Sequence, residues 1–456
     1  MSAIPANFMT LLFVLLSCTA GAFAAETKAQ VLTVGPLVQV QGTSNKTLLS
    51  LLPALPGNSK VPASTQTNVV KNPQLELPHR GCFYPEDAAF FDVRLLRKFS
   101  ATKELDPSLC TYIVLPTGSV QNMTLGLTTP NDTDLFQALA KYKDQFPSLK
   151  LILSVGGRNR THELSEMAET QAGIVKFAAS VAAKLRGWGL DGLDVYWNWE
   201  ASAFRSDEIL LPVLLKAIRK EFDRDSLENG KDRLVLSTTL QETSQTNTID
   251  GPVLGTAVDL VHAVSYDQGN TAFATLNIAH HSPLFGGPLG GSSQVNLASV
   301  LQAWFLAGIP KSKLVGGVPL YGRGWILENS NETFFGAPSA DQDLPSDYTH
   351  LSGYWPYYEL CQRIKLDNAT VVNDKRIAAS YAFTPTWWVG YNNEETLRGK
   401  ANWISANGFG GVFVNDVSLD DFSGICGTKY PLLHAIKDEQ SKMGTTSLPA
   451  NRLVVP

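Results

Sequence analysis

From Gly81 onward, short aliphatic and β-branched runs alternate with longer segments whose apolar positions recur every three to four residues. The short runs are CFY (82–84), TYIVLPT (111–117), LKLILSV (149–155), GLDVYW (192–197), LVLSTTL (234–240), VDLVHAVSY (258–266), KLVGGVPLY (313–321) and FGGVFVN (409–415). Between them AGIVKFAASVAAKLRGWG (172–189), EILLPVLLKAIRKEF (208–222) and LASVLQAWFLAG (297–308) read as amphipathic helices. Strands apolar on both faces, each followed by a helix, predict a parallel sheet covered by helices. Eight of them is the number that closes a (β/α)₈ TIM barrel. The interval 325–390, between the seventh and eighth strands, is long and rich in Tyr and Trp and has short strand-like runs of its own. It reads as a small α+β insertion domain.

The ends of the chain follow other patterns. Residues 8–24, FMTLLFVLLSCTAGAFA, form an apolar run closing on an A-x-A-like site, so residues 1–24 read as a signal peptide. No Lys or Arg precedes the run, which keeps an uncleaved anchor as the competing reading. No other run reaches the roughly 18 apolar residues of a membrane span, so no membrane association is expected once the signal is removed. Residues 25–80 are rich in Ser, Thr, Asn, Gln and Pro, nearly uncharged and aperiodic, and are expected to form a flexible leader. Its LLSLLPALP patch (48–56) is broken by proline. The barrel is assigned to 81–439 and a C-terminal tail to 440–456.

Composition changes this picture little. The chain has 456 residues, a net charge of −5 and no long basic run, which argues against a nucleic-acid partner. Beyond Cys18 in the signal there are four cysteines, Cys82, Cys110, Cys361 and Cys426. In an oxidising compartment they suggest two disulfides, with three connectivities open. None has the spacing of a zinc site, so neither metal nor cofactor is expected. Six N-x-S/T sequons, at Asn45, Asn122, Asn131, Asn159, Asn331 and Asn368, fit a secreted, extracellular glycoprotein.

Reacting groups in such barrels stand at the C-terminal ends of strands. Polar residues interrupt the apolar runs at Asp191 and Asp194, at Tyr266 and Asp267, and at Tyr321 and Arg323. Singly, each has an ordinary explanation: an aspartate capping a helix or pairing with a cation, a tyrosine packed with its hydroxyl wet. Together they form a rim of carboxylates, phenols and a guanidinium suited to a sugar.

The ordered segments SVGG (154–157), DGLDVYWN (191–198), SYD (265–267), GGVPLYGRGW (316–325) and GGVFVNDVSLDDFSG (410–424) resemble glycoside hydrolase family 18, the chitinases and chitinase-like lectins. GYWPYYELCQRI (353–364) and WWVGYNNEETLRGKANWI (387–404) are similar to the segments flanking that family's insertion. The resemblance covers about four fifths of the chain. It implies disulfides Cys82–Cys110 and Cys361–Cys426, and substrate-binding roles for Asp191, Asp194, Tyr266, Asp267, Tyr321 and Arg323.

The family's fourth-strand pattern is D-G-x-D-x-D-x-E. Its glutamate is the general acid and its last aspartate orients the substrate's N-acetyl group, whose own oxygen attacks the anomeric carbon. On this chain the orienting position is Tyr196 and the acid position Asn198. An amide donates no proton to a leaving oxygen, and a phenol of pKa near 10 is no substitute for a carboxylate near 4. Arg158 stands for the Trp after the third-strand glycines, Asn415 for the floor Trp under the sugar, Val264 for a Met and Thr117 for a second-strand Phe.

Three readings follow. The first is a silent chitinase-like protein binding chitin or another N-acetylglucosamine-containing glycan, as a lectin or signalling factor. The second is a barrel kept as a scaffold for an extracellular protein partner, with the Trp-rich insertion (Trp355, Trp387, Trp388) as a candidate surface. The third is a working chitinase with Glu200 as a displaced acid. Strand alternation puts Glu200 on the face of Asn198, but about 6.6 Å farther along.

Overall fold

The computed structural model describes residues 69–85, 91–92, 97–98, 103–129, 132–157, 159–198, 207–241, 249–267, 277–287, 295–341 and 344–443. The signal segment, most of the leader, the last residues of the tail, Asn45, Asn131, Arg158 and Glu200 lie outside them.

Seven parallel strands come first: β1 (His79–Phe83), β2 (Tyr112–Gln121), β3 (Lys150–Gly156), β4 (Gly192–Tyr196), β5 (Val235–Gln241), β6 (Leu260–Val264) and β7 (Leu314–Pro319). The chain then makes a second sheet from β8 (Tyr321–Leu327), β9 (Ser339–Asp341), β10 (Tyr354–Pro356), β11 (Thr370–Asp374), β12 (Ala379–Phe383) and β13 (Trp387–Tyr391). It returns to the barrel as β14 (Gly411–Asn415). β14 pairs with both β7 and β1, and β1 pairs with β2, so the eight strands close on themselves. The protein is a (β/α)₈ TIM barrel.

Helices α1 (Asp132–Ala140), α2 (Thr161–Ala168), α3 (Gln171–Gly187), α4 (Asp207–Asn229), α5 (Gly251–Ala257) and α6 (Leu297–Leu306) lie between the barrel strands. α7 (Tyr357–Leu366) belongs with the second sheet, and α8 (Glu394–Ala406) and α9 (Pro431–Met443) flank β14. The starts of α3, α5, α6 and α8 carry side-chain caps, as at Thr170, whose Oγ1 accepts from Gly173 N at 3.0 Å. None of the helices described is long and apolar enough to cross a membrane.

The second sheet buries its tryptophans. Trp355 and Trp387 pack with Leu360 on one face, and Trp388 packs with Trp325 and Ile278 on the other. The insertion's tryptophans are therefore core rather than contact surface, and lend no support to a protein-binding scaffold. Both disulfides have the pairing the family resemblance implied, Cys82–Cys110 and Cys361–Cys426.

Ordered structure begins earlier than composition suggests. Lys71 donates from Nζ to Gly230 O at 2.8 Å, and its carbonyl accepts from Arg233 N at 2.8 Å. The segment just before β1 is thus tied to the chain around the end of α4 by the backbone and side chain of Lys71.

Candidate functional site

The polar residues singled out in the sequence separate into three places. Asp191 stands one residue before β4, at the end of the barrel away from the strand exits, a correction to its expected place on the rim. Its carboxylate accepts from Leu151 N at 2.8 Å and pairs with Lys143 Nζ at 2.5 Å, fastening β4 to β3 at their start. The ordinary reading of a strand-end aspartate fits it.

Asp194 is also not on the rim. It is fully buried in the barrel, opposite Ser154 of β3 and Ser237 of β5 in register. Ser154 Oγ and Thr239 Oγ1 donate to its Oδ2 at 2.8 and 3.0 Å, Ser237 Oγ donates to Oδ1 at 2.8 Å, and His262 Nδ1 lies 3.1 Å from Oδ1. The other face of the imidazole reaches Tyr112, with Nε2 to OH at 2.9 Å. Phe413 packs edge-on to the His262 ring. Tyr112, Asp194, His262 and Phe413 thus form one interior layer drawn from alternate strands β2, β4, β6 and β14. Burial works against the Asp194 charge, but the bonds from His262, Ser237 and Ser154 outweigh it and hold the carboxyl below its ordinary value.

The remaining four residues do meet at the strand exits. Tyr266 and Asp267 follow β6, and Tyr321 and Arg323 open β8 immediately after β7. Asp267 accepts from Tyr321 OH at 2.6 Å and from Arg323 Nε and Nη2 at 3.0 and 2.5 Å, a bidentate pair. The Arg323 guanidinium lies over the rings of Tyr321 and Tyr354, 5.3 and 5.0 Å from their centroids, and these rings stack at 4.1 Å. Burial opposes both charges, yet each outweighs that for the other: Asp267 is held below, and Arg323 above, its ordinary value. His281 stacks on Tyr321, and burial pushes its pKa down to about 3, so it brings no charge. Tyr266 meets Tyr321 edge-on, and its hydroxyl bonds the Asn415 side chain at the end of β14.

Tyr196 ends β4, and Asn198 lies two residues beyond it. Tyr196 is half-buried and near enough to Tyr266 to raise its pKa further, after the effect of burial. Trp197 turns away from the barrel, and its Nε1 donates to Asp207 Oδ2 at 3.0 Å. Asn198 is buried, with its backbone N donating to Thr161 Oγ1 at 2.7 Å. The strand exit is therefore anchored to α2 and α4.

Some participants were not singled out from sequence. Tyr354 comes from the insertion, 31 residues beyond Arg323, and carries no local signal. His262 did leave one: a lone imidazole inside the apolar run VDLVHAVSY. Asp416 follows Asn415 and is buried close to Tyr266 and Tyr354.

Comparison with known proteins agrees with this architecture. The profile of the glycosyl hydrolases family 18 matches residues 87–420. Chitotriosidase-1 of Mus musculus is 29% identical over 348 residues, spanning 74% of this chain and 73% of the mouse protein. Chitinase-3-like protein 2 of Homo sapiens is 28% identical over 342 residues, spanning 74% of this chain and 86% of its own. The structure of human YKL-39, described as a pseudo-chitinase with retained chitooligosaccharide binding properties, covers 80% of this chain and 99% of its own, with a TM-score of 0.72 at 26% identity. The closed barrel, the insertion after its seventh strand and the family match lead to one conclusion: the chain belongs to glycosyl hydrolase family 18.

Proposed function

We propose that this is a secreted chitinase-like protein without hydrolase activity, binding chitin-type or other N-acetylglucosamine-containing glycans as a lectin or signalling factor. The observation that carries the reading is the exit of β4, where Tyr196 and Asn198 occupy the positions of the orienting aspartate and the general acid. General acid catalysis typically supplies about 10²–10⁴-fold in rate, and an amide supplies none of it. The rim of Tyr266, Asp267, Tyr321 and Arg323 supports sugar binding, because a bidentate carboxylate–guanidinium pair fixes donors and hydroxyls between aromatic walls. The YKL-39 structure supports the combination of lost catalysis and kept binding in this family. The exposed sequon asparagines Asn122, Asn159, Asn331 and Asn368 suit an extracellular glycoprotein.

Titration with chitin oligomers, together with chitin beads and a glycan array, tests binding. A fluorogenic chitobioside assayed across pH 3–8 tests silence. Binding without turnover is expected. Indifference to every sugar overturns the lectin reading, and turnover abolished by Glu200→Gln would instead establish the displaced-acid enzyme.

A further inference from the structure

The floor under the rim differs in kind from an aromatic platform. β14 ends on Asn415, whose side chain bonds the Tyr266 hydroxyl, and the next residue is a carboxylate, Asp416. Asp416 is only 4% exposed. Its Oδ1 accepts from both the backbone N (2.9 Å) and Oγ (2.5 Å) of Ser418, which fixes the side chain. Its Oδ2 has no donor among the described residues, and none of their Lys, Arg or His side chains pairs with it. Arg323, whose guanidinium lies over the Tyr354 ring, is committed in bidentate fashion to Asp267. The Asp416 charge is felt by the phenols of both Tyr266 and Tyr354 and raises them beyond the effect of burial. Among the described residues the floor thus carries a fixed, buried carboxylate with one oxygen lacking a donor and no counter-charge, beside hydroxyls and an amide. A buried carboxylate without a cation is costly, and a ligand that brings one relieves that cost.

We propose that Asp416 makes the site select glycans with free amines, the glucosamine units of partly deacetylated chitin-type chains, over fully N-acetylated ones, by pairing its carboxylate with the ligand's ammonium. This deepens the glycan-binding reading and rests on it. Burial pushes the Asp416 carboxyl up to about 6, so the unliganded group is largely protonated in mild acid and ionised above neutrality. The preference for amines therefore appears as pH rises through about 6 and disappears below it. Where the two overlap, binding the ammonium releases a proton from Asp416.

The test is calorimetric titration of the full-length protein with a fully acetylated and a fully deacetylated oligomer of the same length, at pH 5 and pH 7. At pH 7 the deacetylated oligomer is expected to bind about tenfold more tightly, in line with close charge pairs at interfaces. At pH 5 that ratio falls toward one. Asp416→Asn keeps an oxygen for Ser418 N and is expected to bring the pH 7 ratio near one. Its far-UV circular dichroism and melting point show whether it folds, and the wild-type pH comparison stands whether or not it does. A wild-type ratio near one at both pH values, or a ratio unchanged in folded Asp416→Asn, overturns the proposal while leaving glycan binding intact. Failure of both oligomers to bind overturns the glycan-binding reading itself, and this proposal with it.

Discussion

Asp194→Ala should be among the most damaging substitutions in the barrel, and the reason can be worked from its contacts. The wild-type carboxylate is wholly buried and takes bonds from Ser154, Ser237, Thr239 and His262 at 2.8 to 3.1 Å. Removing it strands four polar groups in a dry layer, each costing about 1–3 kcal/mol if nothing replaces the bond. The three hydroxyls can turn and partly pair with one another, so the losses do not add. A net loss of about 3–5 kcal/mol is expected, the range seen when one partner of a buried charged pair is removed. Asp194→Asn should cost less, about 1–3 kcal/mol, because its oxygen still accepts and the hydroxyls can rotate to accept from its amide. The ordering Ala worse than Asn, read from urea midpoints by tryptophan fluorescence with disulfides intact, is the signature of the network. The carboxyl's folded pKa is depressed below 3.8, so its contribution is present above that pH and lost as pH falls through the folded value. That acid limb should be missing in Asp194→Asn. A loss under about 1 kcal/mol for Asp194→Ala would refute the reasoning, since even one unsatisfied buried group costs that much.

Arg323→Met leaves Asp267 buried with only the Tyr321 hydroxyl, and should cost about 3 kcal/mol, the lower end for a broken buried pair because Arg323 is 20% exposed. Thermal unfolding reads the loss, and oligomer titration should show weakened binding in the folded variant. Lys400 on α8 is fully buried, donating to Ser282 and Asn392, and burial lowers its pKa to about 7 from 10.5. The unfolded chain holds that proton more tightly between those values, so wild-type stability should rise with pH from about 7 toward 10 through this group. Lys400→Met should flatten this slope in urea unfolding measured pH by pH.

Much of the architecture was legible because barrel strands and helices carry their periods locally. The eight apolar runs appear as the eight barrel strands, with one instructive difference. KLVGGVPLY reads as a single run, but its barrel strand stops at Pro319, and Tyr321 already belongs to the second sheet. Nothing in the hydrophobic pattern marks that change of sheet, since both sides are buried. The rim was legible in part. SYD and the YGR of the seventh-strand segment lie at successive exits, and closure brings Asp267 onto Tyr321 and Arg323, 54 and 56 residues away.

By itself the sequence determined the barrel class and the place of the insertion. It also determined, through the family resemblance, the disulfide pairing. All of these depend on residue identity and local period. Only the tertiary structure decided what the remaining aspartates do. Asp191 and Asp194 are three residues apart in one short motif, yet one fastens strand starts and the other is held in the interior. Asp194 lies on the inward side of β4, and its donors come from residues 40 to 68 positions away. Asp416, silent as a letter in GGVFVND, gains its meaning from Tyr266, Tyr354 and the Asp267–Arg323 pair, which leaves it without a cation among the described residues. A carboxylate's role is set by the charges and donors around it, and barrel closure gathers those from strands far apart in sequence.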